Sequence, residues 1–125
     1  MRGIKFRAWD KKRKKIYPWS HIAAIHHFDD EIRVNGGDDF VNVKFEDCEL
    51  EQFTGLKDKN GREIYEGDIL NIKIQTLDQE WIEAVEYKFG YFTGVMRETM
   101  DGCHGEDPEN IEVIGNIHSN PELLK

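Results

Sequence analysis

QFTGLKDKNGREIYEGDIL, residues 52–70, is the stretch that decides the fold. Its middle, residues 58–61, has a length typical of a hairpin with a type I turn whose last residue is left-handed. Gly61 adopts that conformation at no steric cost, while Asp58 and Asn60 are side chains that hydrogen-bond the local backbone. The pattern therefore predicts two antiparallel strands joined by a tight turn that these residues shape.

A second bend follows at Glu66, Gly67 and Asp68, directly before an apolar strand. One interpretation makes Glu66 and Asp68 ligand-binding carboxylates, helped by polar side chains at positions 52, 54 and 116. The interpretation we favour has Asp68 accepting backbone N–H groups at the bend while Glu66 faces water, with Gly67 as a structural turn residue.

Three segments together resemble one protein family. They are residues 52–70, FRAWD at 6–10 and IGNIHSNPELL at 114–124, and they are similar to the YopX family of phage and mobile-element proteins. The resemblance implies a compact, mostly β, SH3-like or pseudo-barrel fold, made in a bacterial cytoplasm as a phage accessory protein. It implies no settled activity. We expect one domain over residues 1–125, with a variable middle at about 20–45.

Composition fits a small β-rich domain. The 125 residues are 38% hydrophobic and 34% charged, and seven Phe, four Tyr and three Trp supply the apolar area that a small core needs. Repeated short alternating runs with glycine turns predict a mainly β, antiparallel fold with short helical segments, with α+β as the alternative. No apolar run approaches the length of a membrane span, so we expect a cytoplasmic protein that does not bind membranes.

Several local assignments accompany this prediction. Residues 20–28 fit either a short helix or a strand, residues 81–89 read as one strand, and residues 98–110 read as a mobile loop. Asn120 followed by proline is typical of a helix N-cap, and we expect one C-terminal helical turn that packs Leu123 and Leu124.

Charge is unevenly distributed along the chain. The formal total is −8, from 17 Lys and Arg against 25 Asp and Glu. Residues 1–15 hold eight basic residues and one acidic residue, a balance of +7, which leaves −15 for the rest. Such a dipolar chain is attracted to its own copies, basic head to acidic body, as readily as to a foreign partner.

No pattern of catalytic or metal-binding residues stands out. Histidines and cysteines lack the paired spacing of zinc sites, no serine or cysteine lies in a nucleophile motif, and no glycine-rich phosphate loop precedes a helix. The two cysteines, Cys48 and Cys103, are expected to be reduced, with one or both packed as small hydrophobic residues. We therefore expect no catalytic residues, no metal and no cofactor.

The basic run at residues 11–15 is the candidate binding element. Lys12, Arg13 and Lys14 form its centre, and Trp9 and Trp19 flank it. This combination suits contacts with nucleic-acid phosphates and bases, or a solvated hairpin tip on a protein that binds other proteins. The net negative charge disfavours the nucleic-acid interpretation.

Three functional hypotheses follow. The first is a noncatalytic module that binds itself, as a homo-oligomer, or a host or phage protein. The alternative is a nucleic-acid-associated protein that uses the basic run and its aromatic neighbours. The third is a small enzyme built around Glu66, Asp68 and His118, which the sequence supports least.

Overall fold

The structure is a computed structural model that describes residues 4–88, 91–99, 102–105 and 108–125, with backbone only at 96–99 and 102–105. The strands within these ranges are β1 Phe6–Asp10, β2 Lys15–Tyr17, β3 Ile22–His26, β4 Glu31–Asn35, β5 Phe40–Lys44, β6 Cys48–Lys57, β7 Glu63–Tyr65, β8 Asp68–Ile74, β9 Gln79–Ala84, β10 Tyr87–Lys88, β11 Tyr91–Phe92, β12 Met96–Thr99, β13 Gly102–Gly105 and β14 Ile111–Asn116. Short 3-10 turns occur at Trp19–His21, Phe45–Asp47, Gln75–Leu77, Pro108–Asn110 and Pro121–Leu124.

The strand pairings among the described residues are antiparallel, and these ranges contain no α-helix. The prediction of a mainly β fold with short helical segments is confirmed, and the α+β alternative finds no support in these ranges. The finer comparison with an SH3-like barrel stays a prediction. Within the described part of the chain, no helix is long and apolar enough to cross a bilayer.

The chain divides into two compact units, an N-terminal unit that ends at Gln52 and a C-terminal unit that begins at Phe53. The boundary falls inside β6, whose first half pairs with β1 and whose second half pairs with β7. The expectation of a single domain over residues 1–125 stays a prediction.

The N-terminal unit contains β1 between β2 and the first half of β6, and a three-stranded sheet in the order β3, β4, β5. Alternating apolar residues of these strands meet in one core, as the period of two predicts. That core consists of Ala8, Tyr17, Ile32, Val34, Val43 and Cys48. The open assignment at residues 20–28 resolves into the 3-10 turn Trp19–His21 followed by strand β3.

The C-terminal unit is built around β8, which lies between β14 and β9. Leu70, Ile72 and Ile74 alternate toward the core as the sequence predicts, and Ile69 is also fully buried. Among the residues whose side chains are described, the core cluster consists of Ile64, Leu70, Ile72, Ile74, Val85, Phe92, Val95, Ile111 and Val113.

The strand expected at residues 81–89 is interrupted after Ala84. Val85 donates its N–H to the Asp68 carbonyl (2.8 Å) and accepts the Gly67 N–H (2.9 Å), so it is tied to the bend at 66–68 instead of continuing the ladder. Tyr87 is consequently 57% exposed, while Val85 is buried. Residue 89 lies outside the described residues.

One other local expectation is wrong, and a second is confirmed in part. The segment 98–110, expected to be a loop, contains part of the β12–β13 hairpin and the 3-10 turn Pro108–Asn110. The expected C-terminal turn forms as the 3-10 turn Pro121–Leu124 with Asn120 at its N-cap position, but the Asn120 side chain makes no capping hydrogen bond. Its Oδ1 instead accepts the N–H of Asn116 (3.3 Å), and Leu124 of the turn remains 45% exposed.

The turn at residues 58–61 permits a clean test of backbone strain. Gly61 has φ of +81°, and a β-carbon added there would meet no atom within 4 Å. We expect Gly61→Val to lower the free energy of unfolding by about 1–2 kcal/mol, because an L-residue is strained in this region. Urea unfolding measures the loss. Gly61→Asn is the matched control and should lose clearly less, since asparagine tolerates positive φ; equal losses would contradict a backbone origin.

Candidate functional site

The carboxylate of Asp58 is a backbone acceptor. It is 4% exposed, and its Oδ1 accepts the N–H groups of Asn60 and Arg62 (both 2.9 Å) within the turn. Its Oδ2 accepts the N–H of Val113 in β14, 55 residues away (3.0 Å). Both oxygens are therefore engaged, and Asp58 joins the turn to the last strand of the C-terminal unit.

An irregularity in β6 precedes this turn. Pairing with β7 shifts between Phe53 and Lys57, and Gly55 has φ of +88°. The hydroxyl of Thr54 donates to the Ile64 carbonyl (2.8 Å) and accepts the N–H of Leu56 (3.2 Å). Thr54 thus satisfies backbone groups that the bulge leaves out of the ladder, which is a structural role for a side chain considered as a ligand.

The bend at residues 66–68 is a second junction of the C-terminal unit. Gly67 has φ of +85°, and its carbonyl accepts the N–H of Ile117 (2.8 Å). Asp68 is 1% exposed, and its Oδ2 accepts the N–H of Tyr65 (2.8 Å). Glu66, expected to face water, is instead half-buried. The geometry at Asp68 is that of a carboxylate holding a bend.

Hydrogen bonding also sets the ionisation of Asp58. Burial opposes the charged form, but the N–H groups of Val113, Arg62 and Asn60 outweigh it and hold the pKa of this carboxyl below its ordinary value. A depressed pKa contributes stability that is complete above the pKa of the unfolded chain, about 3.9. That stability is lost as the pH falls through the lower pKa of the folded chain.

We expect Asp58→Asn to lower the free energy of unfolding by about 1–3 kcal/mol at pH 7, because an amide NH₂ replaces one acceptor and leaves a buried N–H unsatisfied. The difference from the wild type should begin to shrink below about pH 4, where the carboxyl of the unfolded wild type becomes protonated, and it should shrink until the pH has passed the lower pKa of the folded protein. Urea unfolding at neutral and acidic pH measures it. Asp38→Asn, at an exposed aspartate, is the control; a loss independent of pH would contradict this account.

Residues 11–14 of the basic run form the turn between β1 and β2. We call residues 11–15 the basic hairpin. Asp10, 1% exposed, organises it: Oδ1 accepts the N–H groups of Lys12 (3.0 Å) and Arg13 (3.1 Å), and Oδ2 accepts Arg13 Nη1 (3.0 Å). The hydrogen bond and charge of Asp10 raise the pKa of Arg13. Lys14 completes the reversal with φ of +55°.

The cations of the basic hairpin differ in their surroundings. Lys12 Nζ lies 3.2 Å from Asp47, and the Lys11 N–H donates to the Asp47 carbonyl (2.8 Å). Lys11 and Lys14 have exposed side chains, and Lys15 Nζ lies 5.2 Å from the centre of the Tyr17 ring. The hairpin thus presents positive charge on a backbone that is held in place by hydrogen bonds to Asp10 and Asp47.

The two flanking tryptophans are not brought together. Trp9 is half-buried in β1, opposite Ile16 and Glu49. Trp19 is 40% exposed, and its ring lies 6.3 Å from the ring of Phe6. Phe6 and Trp9 are three residues apart in β1, so their side chains project from opposite faces of the strand. The pair therefore does not form one stacking platform.

A buried ion pair was not predicted from the sequence. Arg7 and Glu51 are 8% and 5% exposed, and Arg7 Nε donates to Glu51 Oε1 at 2.8 Å. Alternation along β1 puts Arg7 on the face opposite Phe6 and Ala8, and it does not indicate an acidic partner there. Arg7 and Glu51 lie directly opposite each other in the β1–β6 register. Opposite charges at such positions would have indicated the pair if the register had been known.

Cys48 is a buried, free thiol. Burial raises its pKa, and the charge of Asp10 adds to the effect, so the thiol stays protonated and unreactive at neutral pH. The side chain of Cys103 lies outside the described residues.

We expect the single thiol of a Cys103→Ser variant to react with Ellman's reagent at least about tenfold more slowly in the native protein than in urea, because the reactive thiolate is suppressed and shielded. Absorbance at the reagent's product band follows the reaction. A native rate equal to the denatured rate would contradict burial of Cys48.

Nearly all of the given sequence matches a known family. The sequence pattern described as YopX protein covers residues 5–125. This chain belongs to the YopX family. The biochemical activity of that family is uncharacterised. No curated protein matches the sequence.

Two solved structures resemble this member of the YopX family over 100% of both chains. Protein EF1440 from Enterococcus faecalis is 26% identical with a TM-score of 0.63. Protein yopX from Bacillus subtilis is 22% identical with a TM-score of 0.67. These similarities support the family fold and do not indicate a biochemical activity.

Proposed function

We propose that this YopX-family protein is a noncatalytic protein-interaction module that binds acidic protein surfaces, on its own copies or on a host or phage protein, through the basic hairpin. One observation carries the proposal. Exposed lysines project from a hairpin whose backbone is held by the buried Asp10, on a chain that otherwise carries −15.

The anchoring by Asp10 matters for affinity. A charged loop that is ordered before it binds loses less conformational entropy on association than a flexible one. Hydrogen bonds to the N–H groups of Lys12 and Arg13 hold the loop backbone in one conformation. Lys11 and Lys14 then offer charges at defined positions, which favours complementary contacts and fast encounter.

A noncatalytic role is supported by the use of the signature carboxylates. Asp58 binds three N–H groups, and Asp68 accepts another at its bend. A general acid or base has to reach a substrate proton, whereas these oxygens are turned toward the backbone. The exposed carboxylates remain as surface charge.

Nucleic-acid binding is the alternative, favoured by the clustered cations and the exposed Trp19. Two observations weigh against it: Asp10 and Asp47 already pair with Arg13 and Lys12, and Trp9 lies on the other face of β1 from Phe6 and its neighbour Trp19.

We further propose that the protein acts in a bacterial cytoplasm as a phage accessory protein. Family membership and the free thiol of Cys48 support this location.

The test compares the wild type with a Lys11→Glu, Lys14→Glu variant. Size-exclusion chromatography with light scattering at about 0.05 M and 0.5 M salt should show a wild-type mass above 14.7 kDa that falls with salt, or capture from bacterial lysate should retain a protein that the variant loses. Retention of single-stranded DNA on filters would support the alternative. A monomer at both salt concentrations with identical captures by both proteins would contradict the proposal.

A further inference from the structure

The turn between β3 and β4 presents an aromatic side chain to solvent. Phe28 is fully exposed, and Asp29 and Asp30 beside it are exposed as well. Asp30 has φ of +51°, and its carbonyl accepts the N–H of Phe45 (2.8 Å), which ties the turn to the 3-10 segment Phe45–Asp47. The turn is therefore held in place, with Phe28 directed outward.

A surface concavity of about 460 Å³ adjoins this turn. Its lining residues are Asp29, Asp30, Lys44, Phe45 and Glu46. Three carboxylates against one ammonium give the lining a formal charge of −2, and Phe45 adds a half-buried aromatic ring. We call Phe28 together with this concavity the acidic tip. Carboxylates beside aromatic rings suit a lysine, whose stem packs on the ring while its ammonium meets the charge.

The acidic tip and the basic hairpin are neighbours on the N-terminal unit. The segment Phe45–Asp47 connects them, since Asp47 contacts Lys11 and Lys12 at one end while Phe45 contacts Asp30 at the other. One surface thus carries a positive and a negative patch side by side. Such a surface is self-complementary: a two-fold rotation places the positive patch of each copy on the negative patch of the other.

We propose that this surface forms a symmetric homodimer in which Lys11 and Lys14 of each copy enter the acidic tip of the other. The inference rests on the proposed function and specifies its partner as a second copy of this chain. Two-fold symmetry makes the contact twice and closes the assembly, so growth stops at the dimer. Phe28 covers the lysine stems and excludes water from the new ion pairs.

Charge reversal gives the decisive experiment. Variant X carries Lys11→Glu and Lys14→Glu, and variant Y carries Asp29→Lys and Glu46→Lys. Asp30 is kept because aspartate tolerates its positive φ better than lysine would, whereas lysine and glutamate are comparable at the positive φ of Lys14. In X–X and Y–Y pairs every contact is repulsive, so each variant alone should dimerise at least about tenfold more weakly than the wild type. In an X–Y pair every contact is attractive, and the mixture should recover a dimer. The combined four-substitution variant should dimerise with itself.

Light scattering and sedimentation equilibrium measure these masses at low salt. The control is Asp38→Lys, Asp39→Lys, which reverses two adjacent aspartates in the β4–β5 turn and should leave the dimer unchanged. Recovery in the mixture also shows that X and Y are folded. Phe28→Ser should weaken the wild-type dimer and make it more sensitive to salt, because the ion pairs are then exposed to water.

The contrary outcomes separate the two proposals. A wild-type dimer that X and Y retain overturns this interface, and the proposed function then stands only where X loses a protein that the wild type captures from lysate. A wild-type monomer from which X alone loses a captured lysate protein overturns the homodimer and again supports the proposed function. A wild-type monomer whose captures match those of X overturns both.

Discussion

The C-terminal unit depends on the buried carboxylate of Asp58. A carboxylate removed from water has to be compensated by strong donors, and three backbone N–H groups supply them. Two of these donors belong to its own turn and the third belongs to β14. The Lys59 N–H adds a bond to the Ile111 carbonyl (3.0 Å) in the same strand. One turn therefore determines both how the hairpin reverses and where the last strand is held.

Buried aspartates recur at the reversals of this acidic protein. Asp10 supports the basic hairpin, Asp58 the central turn and Asp68 the bend before β8, and each accepts at least one backbone N–H. All three are at most 4% exposed. Their shared role explains why numerous carboxylates in this chain do not imply catalysis. These buried aspartates are structural, whereas the exposed carboxylates of Asp29, Asp30 and Glu46 contribute surface charge.

The proposed function of this YopX-family protein depends on its surface. It requires the arrangement of charged patches on the N-terminal unit and does not follow from the total charge of −8. Because one 3-10 segment holds the basic hairpin on one side and the acidic tip on the other, opposite charges lie side by side in a fixed geometry. A fixed bipolar surface favours one orientation of a partner, which a flexible charged tail does not.

Local preference alone predicted the mainly β class, the glycine at the central turn and the alternating core residues of β8. These follow from steric limits on φ and from the period of a strand, which neighbouring residues determine. Contacts between distant residues followed only from the tertiary structure: Asp58 with Val113, Arg7 with Glu51, and Val85 with the bend that interrupts its strand. Their physical basis is strand register. A carboxylate or guanidinium is buried only when its partner is brought opposite it, and no local preference specifies which distant strand arrives there.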